Sequence, residues 1–339
     1  MKTVRIWFNH WFSTVYHIIN LIREDSAYRY EIVGSNENEI AVYKQACDEW
    51  YREPANLSDD AYADFCVGFC KEHGIDIFAP RKKLDVISKN AARFESEGIR
   101  LLVDSDYSTV GILENKALTY SFVSECVPQC LPQWRVARSF GEFEICYHEL
   151  LSTEDRVCYK LVADEGARSF RVVDDSIEGV GSLYEKPGSK ITFNAAKNVL
   201  KEYNFHVPIL LMPYLCGVEV SADCTATAKG NLIIPRFKTN KRYSEIIFDE
   251  DLMAVCNDLM SALKLTNPLN IQFKKGRDRF YLLEINPRMS GGVPLSCKAT
   301  GINLPLIAIH RLLGKDDDWS YPEGNAIKVV HIETPICLS

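Results

Sequence analysis

The sequence predicts a mixed architecture: an α/β unit with a parallel sheet flanked by helices, followed by a strand-rich α+β region. Three observations carry this. Short apolar runs alternate with helix-period segments over about the first hundred residues. A polar stretch rich in turn and cap residues, Asp104-Ser-Asp-Tyr-Ser-Thr109, then marks a boundary. Further on, two β-runs, residues 270–274 and 279–286, flank a segment holding Gly276 and Asp278, the signature of a hairpin.

In order, residues 3–8 form an apolar run, 11–22 place apolar side chains at helical spacing, and 30–35 make a second strand, a β-α-β opening. Residues 59–72 are a helix with apolar Ala63, Val67 and Cys70, 76–79 a buried strand, 84–97 another helix and 100–103 a further strand. A dinucleotide-binding unit wants G-x-G-x-x-G after its first strand, whereas Asn9-His10-Trp11-Phe12-Ser13-Thr14 holds no glycine, so that reading fails. Asn9, His10 and Ser13 sit at the carboxyl end of the strand, where open α/β sheets place ligands; a helix entry capped by Asn9 or Ser13 is the equal alternative.

After the boundary, residues 110–126 read as helical, with Glu114-Asn115-Lys116 near the start and Val127-Pro128 and Leu131-Pro132 ending it. Residues 158–162 are a strand with Lys160 inside, opening onto a small-residue loop with Gly166 and Arg168 and then a strand over 170–173. Such a loop brings an ammonium and backbone N–H groups to phosphates, or is an ordinary exposed hairpin. Thr192 caps a helix through Tyr203, and the apolar run 207–212 ends at Pro213-Tyr214. Residues 218–223 alternate strictly, with Glu219, Ser221 and Asp223 on one face and a carboxylate suited to a ribose diol. The densest basic cluster follows, Arg236, Lys238, Lys241 and Arg242; Arg236 either faces a transferred phosphoryl group or belongs to a solvated loop. Residues 249–263 are an apolar-periodic helix, Asn303 caps another with Pro305 in its first turn and Gly314 past its end, and 325–332 alternate as a last strand.

Composition narrows the function. A length of 339 residues suits two or three compact units, and 47% hydrophobic content is ample for their cores. The net charge of −7, from 39 basic and 46 acidic residues without a long like-charge run, argues against a nucleic-acid partner. Arg5, Asn9 and His10 interrupt the N-terminus before a signal-peptide core forms, and no stretch reaches membrane-spanning length, so a cytoplasmic protein with no membrane partner is expected. The twelve cysteines include no Cys-x-x-Cys pair; Cys66/Cys70 and Cys126/Cys130 lie one helical turn apart and read as buried thiols of a reducing compartment.

The chemistry concentrates in residues 270–301. Alternation puts Phe280, Leu282, Glu284 and Asn286 on one side of the second strand, and a turn that leaves Gln272 on that side converges three oxygen donors. Hard oxygen ligands of low total charge suit Mg²⁺, which substrate phosphates usually complete. Pro287 ends the pairing, Arg288 offers a planar fork for phosphate or carboxylate oxygens, and Ser290-Gly291-Gly292 lets a ligand approach closely. A hairpin whose polar edge faces water is the competing reading.

Gln272, then Glu284-Ile-Asn286-Pro287-Arg288, a small-residue loop and Ser296-Cys-Lys298-Ala-Thr300-Gly301 resemble the ATP-grasp superfamily, most closely the ATP-binding halves of the carbamoyl-phosphate synthetase large subunit, and stand-alone carboxylate–amine ligases. The resemblance implies a Rossmann-like first domain over 1–105 that carries no cofactor, and an ATP-grasp domain over 106–339 whose two α+β lobes, a lid at about 135–215 and a metal-binding lobe at about 216–320, clasp the nucleotide. It implies ATP with Mg²⁺ or Mn²⁺, the metal on Gln272, Glu284 and Asn286. Arg288 would contact the γ-phosphate or the acyl phosphate formed from it; beside that, Arg236 in the basic cluster is the second catalytic candidate, for charge on the transferred phosphoryl group or for an anionic substrate. Lys116 would reach the nucleotide, Lys160 would be a second cation on the phosphate or adenine side, Gly166 and Arg168 would serve the phosphates, the backbone of residues 211–215 with Met212, Tyr214 and Leu215 would recognise adenine, and Glu219 the ribose. Relatives often carry a glutamate where this chain has Met212.

Transfer of the γ-phosphoryl to a carboxylate, then attack by an amine or another nucleophile, is the reaction implied, with small-molecule acid and amine substrates and a homodimer expected from resemblance. Such chemistry needs no protein nucleophile, because positioning and charge neutralisation carry it. A carboxy-phosphate-forming subunit acting on bicarbonate and a non-catalytic ATP sensor are the alternatives.

Overall fold

The computed structural model describes residues 2–164, 168–177, 188–239, 242–324, 326–332 and 337. The chain forms two compact units: Met1–Gly111, Val218–Phe273 and Ile285–Ser339 make the first, Ile112–Gly217 and Lys274–Glu284 the second.

The first unit opens as β1 (Lys2–Asn9), α1 (Val15–Ile22), β2 (Tyr28–Asn36), β3 (Glu49–Arg52), α2 (Asp59–Glu72), β4 (Ile77–Ala79), α3 (Leu84–Lys89), α4 (Ala91–Ser96) and β5 (Arg100–Leu101). The strands form a parallel sheet in the order β3-β2-β1-β4-β5, as the alternation predicts. The two-residue period of β1 divides its side chains between two cores. Val4, Ile6 and Phe8 pack with α1, while Trp7 faces α2 and stacks on Phe78 at 4.1 Å between ring centroids.

Three helices depart from expectation. The helix expected over 11–22 begins only at Val15, because His10 has φ +51° and the Trp11 indole donates to the Ala79 carbonyl at 2.8 Å, fixing a turn instead of a helical start. The helix expected over 84–97 divides at Asn90, whose amide donates to the Val86 carbonyl at 2.9 Å. The one expected over 110–126 divides into α5 (Tyr107–Leu113) and α6 (Lys116–Cys126), since extended Asn115 accepts from the Ala117 and Leu118 N–H groups and so starts a new helix.

The second unit continues with β6 (Arg135–Ala137), α7 (Phe140–Leu151), β7 (Val157–Leu161), β8 (Arg171–Val173), β9 (Lys190–Ile191), α8 (Phe193–Glu202) and β10 (Ile209–Pro213). Its sheet runs β6-β10-β7-β8-β9, with Lys160 opposite Leu210 and Cys158 opposite Met212. One face packs Phe143, Tyr147, Tyr159 and Leu211 into a core; the other carries a small cluster of Cys158, Val172 and Met212. Thr192 caps α8 as expected, its hydroxyl accepting from Ala195 N–H.

The chain then adds β11 (Glu219–Thr227), β12 (Gly230–Lys238), β13 (Ser244–Ile246), α9 (Glu250–Ala262), β14 (Leu269–Lys275), β15 (Phe280–Asn286), α10 (Val293–Thr300), α11 (Leu304–Leu312) and β16 (Ile327–Val329). The sheet order is β15-β14-β11-β12-β13-β16. Leu232 and Ile234 of β12 join Val293 and Ile307 in the same core as β1 and α1. Asn303 caps α11 as expected and its amide also donates to the Leu21 carbonyl at 2.7 Å. Gly314, φ +74°, follows the helix end in the left-handed conformation that glycine adopts without strain.

The cysteines are free. Burial pushes the Cys66 and Cys70 thiols well above their ordinary range, but Cys126 is exposed at the end of α6, so the buried reading holds for only part of the set. Among the described residues no helix is long and apolar enough to cross a membrane.

Candidate active site

In the second unit, two ammonium groups and a carboxylate gather at the ends of α6, β7 and β15. The first-turn Lys116 of α6 is held by its backbone N–H on the Val162 carbonyl and by its Nζ on the Asp164 carbonyl, both within 2.9 Å. That places Nζ 3.7 Å from Glu284 Oε2. Lys160, on β7, donates to the Leu283 carbonyl at 3.1 Å. Burial lowers its pKa to about 8; the Glu284 charge opposes that shift and Lys116 adds to it. The two half-buried cations thus share one neighbouring carboxylate, and their like charges disfavour each other unless an anion is close.

Beside these lysines, Met212 is buried against Cys158 and Val172, with Tyr214, Leu215, Phe170 and Leu283 packed round it. Tyr214 donates its N–H to the Arg156 carbonyl, and the Arg156 guanidinium lies 4.9 Å from its ring centroid. Arg168 is exposed in the turn that precedes β8. Gly166 lies outside the described residues.

In the first unit, Asp223, wholly buried on β11, organises a polar network. Its oxygens accept from Ser290 Oγ and Ser296 Oγ, both at 2.7 Å, and from Asn270 Nδ2 at 2.8 Å, with Arg236 Nη2 at 3.7 Å. Arg236, 5% exposed on β12, donates also to Ser221 Oγ at 3.3 Å and Ser290 Oγ at 3.4 Å. A Cβ on Gly292 would lie 1.9 Å from this guanidinium, so only glycine lets the loop approach. The network therefore fixes the loop after β15, and with it Arg288.

Arg288 donates to the Met289 carbonyl at 3.1 Å and Asn286 Oδ1 at 3.4 Å, and its guanidinium lies 5.6 Å from the Phe12 ring centroid. Gln272, on β14, donates its amide N–H to Asn270 Oδ1 at 3.3 Å. Glu219 forms an ion pair with Lys238, the residue opposite it on β12.

The sequence reading did not find the Asp223 network. Its signal is present: Ser221 and Asp223 alternate with apolar residues, and an amphipathic strand normally turns such a face to water. Here both faces are buried, because Asn270, Ser290, Ser296 and Arg236 cover the polar one.

Residues 205–335 match the family model described as ATP-grasp in the biosynthetic pathway with Ter operon. The fold is shared with the N5-carboxyaminoimidazole synthetase of Staphylococcus aureus, with a TM-score of 0.68 at 9% identity over 95% of this chain and 79% of that one. It is shared with an L-amino acid ligase of Bacillus licheniformis, at 0.64 and 14% over 92% and 74%. The biotin carboxylase domain of a Hydrogenobacter thermophilus 2-oxoglutarate carboxylase, solved with MgADP, ADP and bicarbonate, gives 0.64 and 16% over 94% and 71%. Residues 205–335 thus match an ATP-grasp family, and the chain as a whole has the ATP-grasp fold that it shares with these structures.

Proposed function

We propose that the protein is an ADP-forming ligase that phosphorylates a small carboxylic acid with ATP and passes the acyl group to an amine. The observation that carries this is the pair of cations, Lys116 and Lys160, set against Glu284 beside the apolar cluster of Met212, Tyr214 and Leu215. An anionic tail joined to a flat apolar ring system complements both features, and a nucleoside triphosphate has both.

In this reading the backbone of residues 211–215 holds adenine, Glu219 the ribose, and Lys116 and Lys160 the phosphates, assisted by the loop that carries Gly166 and Arg168. Gln272, Glu284 and Asn286 are the metal ligands; one carboxylate and two amide oxygens form a hard, weakly charged set that fits Mg²⁺ or Mn²⁺. The Gln272 amide agrees: its N–H donates to Asn270 Oδ1 at 3.3 Å, and among the described residues its oxygen accepts no hydrogen bond. Bound there, the ion would neutralise phosphate charge. Arg288 faces the γ-phosphate and then the acyl phosphate, and Arg236 acts through the loop it braces. A carboxylate oxygen attacks the γ-phosphorus and ADP leaves; an amine then attacks the acyl carbon and phosphate leaves. A homodimer is the assembly expected.

A screen of organic acids and bicarbonate with Mg²⁺-ATP and hydroxylamine tests the reading. A stable hydroxamate formed from one organic acid, with matching ADP release, is expected. ADP release with bicarbonate alone would move the reaction to carboxy phosphate, and no ADP with any acceptor would refute catalysis.

A further inference from the structure

At the carboxyl ends of the parallel strands in the first unit, four elements bring one buried carboxylate to one imidazole. The Glu53 side chain, just past β3, has no exposed surface. It accepts from Ser35 Oγ at 2.5 Å, meets His10 Nε2 at 2.8 Å and lies 3.5 Å from the Tyr62 hydroxyl. The Trp7 indole donates to Ser35 Oγ at 2.6 Å, which turns the serine proton toward Glu53, and the Asn9 amide donates to the Tyr62 hydroxyl at 2.6 Å. Ser35 and His10 are both placed to donate to Glu53, whose side chain has no exposed surface. His10 must therefore present Nε2–H to it, leaving Nδ1 as the basic nitrogen. The His10 side chain keeps 16% of its surface exposed, so one edge of the ring reaches solvent.

Two further observations suit a functional group. His10 has φ +51°, a left-handed conformation that a non-glycine residue keeps only where surrounding structure imposes it. The loop it begins also touches the loop of Arg288: the Phe12 ring lies under that guanidinium, and Thr14 Oγ1 stands 2.9 Å from where a Cβ on Gly291 would be.

We propose that His10, oriented by Glu53, is the general base for the amine in the second half of the reaction. This rests on the ligase reading above. An amine arrives as an ammonium ion, and Nδ1 takes one proton to give the free nucleophile, the imidazolium being stabilised by Glu53. The nitrogen lone pair forms the C–N bond to the acyl carbon. The C–O bond to phosphate breaks with its electron pair on phosphate, which carries off the second proton from nitrogen as hydrogen phosphate. His10 then returns its proton to solvent.

The test uses hydroxylamine, which is unprotonated near neutral pH and needs no base, and methylamine, which is protonated and does. Both are offered to the full-length protein with Mg²⁺-ATP and the acid that gives the hydroxamate. His10→Gly suits the left-handed backbone, so the fold is kept. The ratio of methylamide to hydroxamate should fall about 100-fold or more in His10→Gly and by a smaller factor in Glu53→Gln, and added imidazole should restore the methylamide in His10→Gly. An unchanged ratio, or a fall that imidazole does not reverse, overturns the assignment while leaving the acyl phosphate intact. A wild-type protein that makes no hydroxamate removes the acyl phosphate, and this base with it.

Discussion

Lys160 is held where burial works against its charge, with a pKa near 8 against an ordinary 10.5. Below pH 8 the ammonium is charged in the folded and unfolded chain alike, and its desolvation opposes folding. Between 8 and 10.5 the folded chain has released the proton and the unfolded chain has not, so stability rises with pH through that window. Lys160→Met should therefore unfold at higher denaturant than wild type at pH 7, by on the order of 2 kcal/mol, with the difference shrinking toward pH 10. The same variant should bind ATP more weakly, which isothermal titration will read. Asp223→Ala removes the acceptor of two serines and an asparagine and strands the Arg236 charge, and should cost about 3–5 kcal/mol in denaturant unfolding. Of these residues, Lys160 was legible in the sequence because a lysine inside an apolar strand is conspicuous. The role of Asp223 was not, because the alternation around it marks only a polar face, and the partners that bury that face are 13 to 73 positions away.

At the scale of elements, the loop from Pro287 to Gly292 depends on a close backbone approach. Gly292→Ala would put a methyl group onto the Arg236 guanidinium, and since one buried side chain must move, we expect a loss of about 1–3 kcal/mol in thermal unfolding and a displaced Arg288. Element identity was well marked by periodicity: the hairpin of β14 and β15, the capped helix α8 and the helix ended by Gly314 all stand where pattern and caps put them. Helix continuity was poorly marked. Asn90 and Asn115 break their helices through side-chain bonds to backbone groups, which an apolar periodicity running across both positions conceals. The extra strands β3 and β6, four and three residues long, are too short to show a period at all.

For the whole molecule, a ligand that binds only the folded chain stabilises it by mass action, about 2.7 kcal/mol at a hundredfold excess over its dissociation constant. Mg²⁺-ATP should therefore raise the unfolding temperature, and Glu284→Gln should cancel the part of that rise that needs the metal, read against the variant's own unliganded melting curve. The parallel sheet of the first unit followed from alternation alone, whereas the ATP-grasp fold of the rest came from the motif around Glu284, because sheet order is set by pairings that local sequence does not encode. The most direct test of the central claim is the fate of the acid's oxygen. With the acid labelled by ¹⁸O in its carboxylate and turned over with Mg²⁺-ATP and an amine, the account predicts one labelled oxygen in each inorganic phosphate released. Phosphate free of label would show that no acyl phosphate forms and would contradict it.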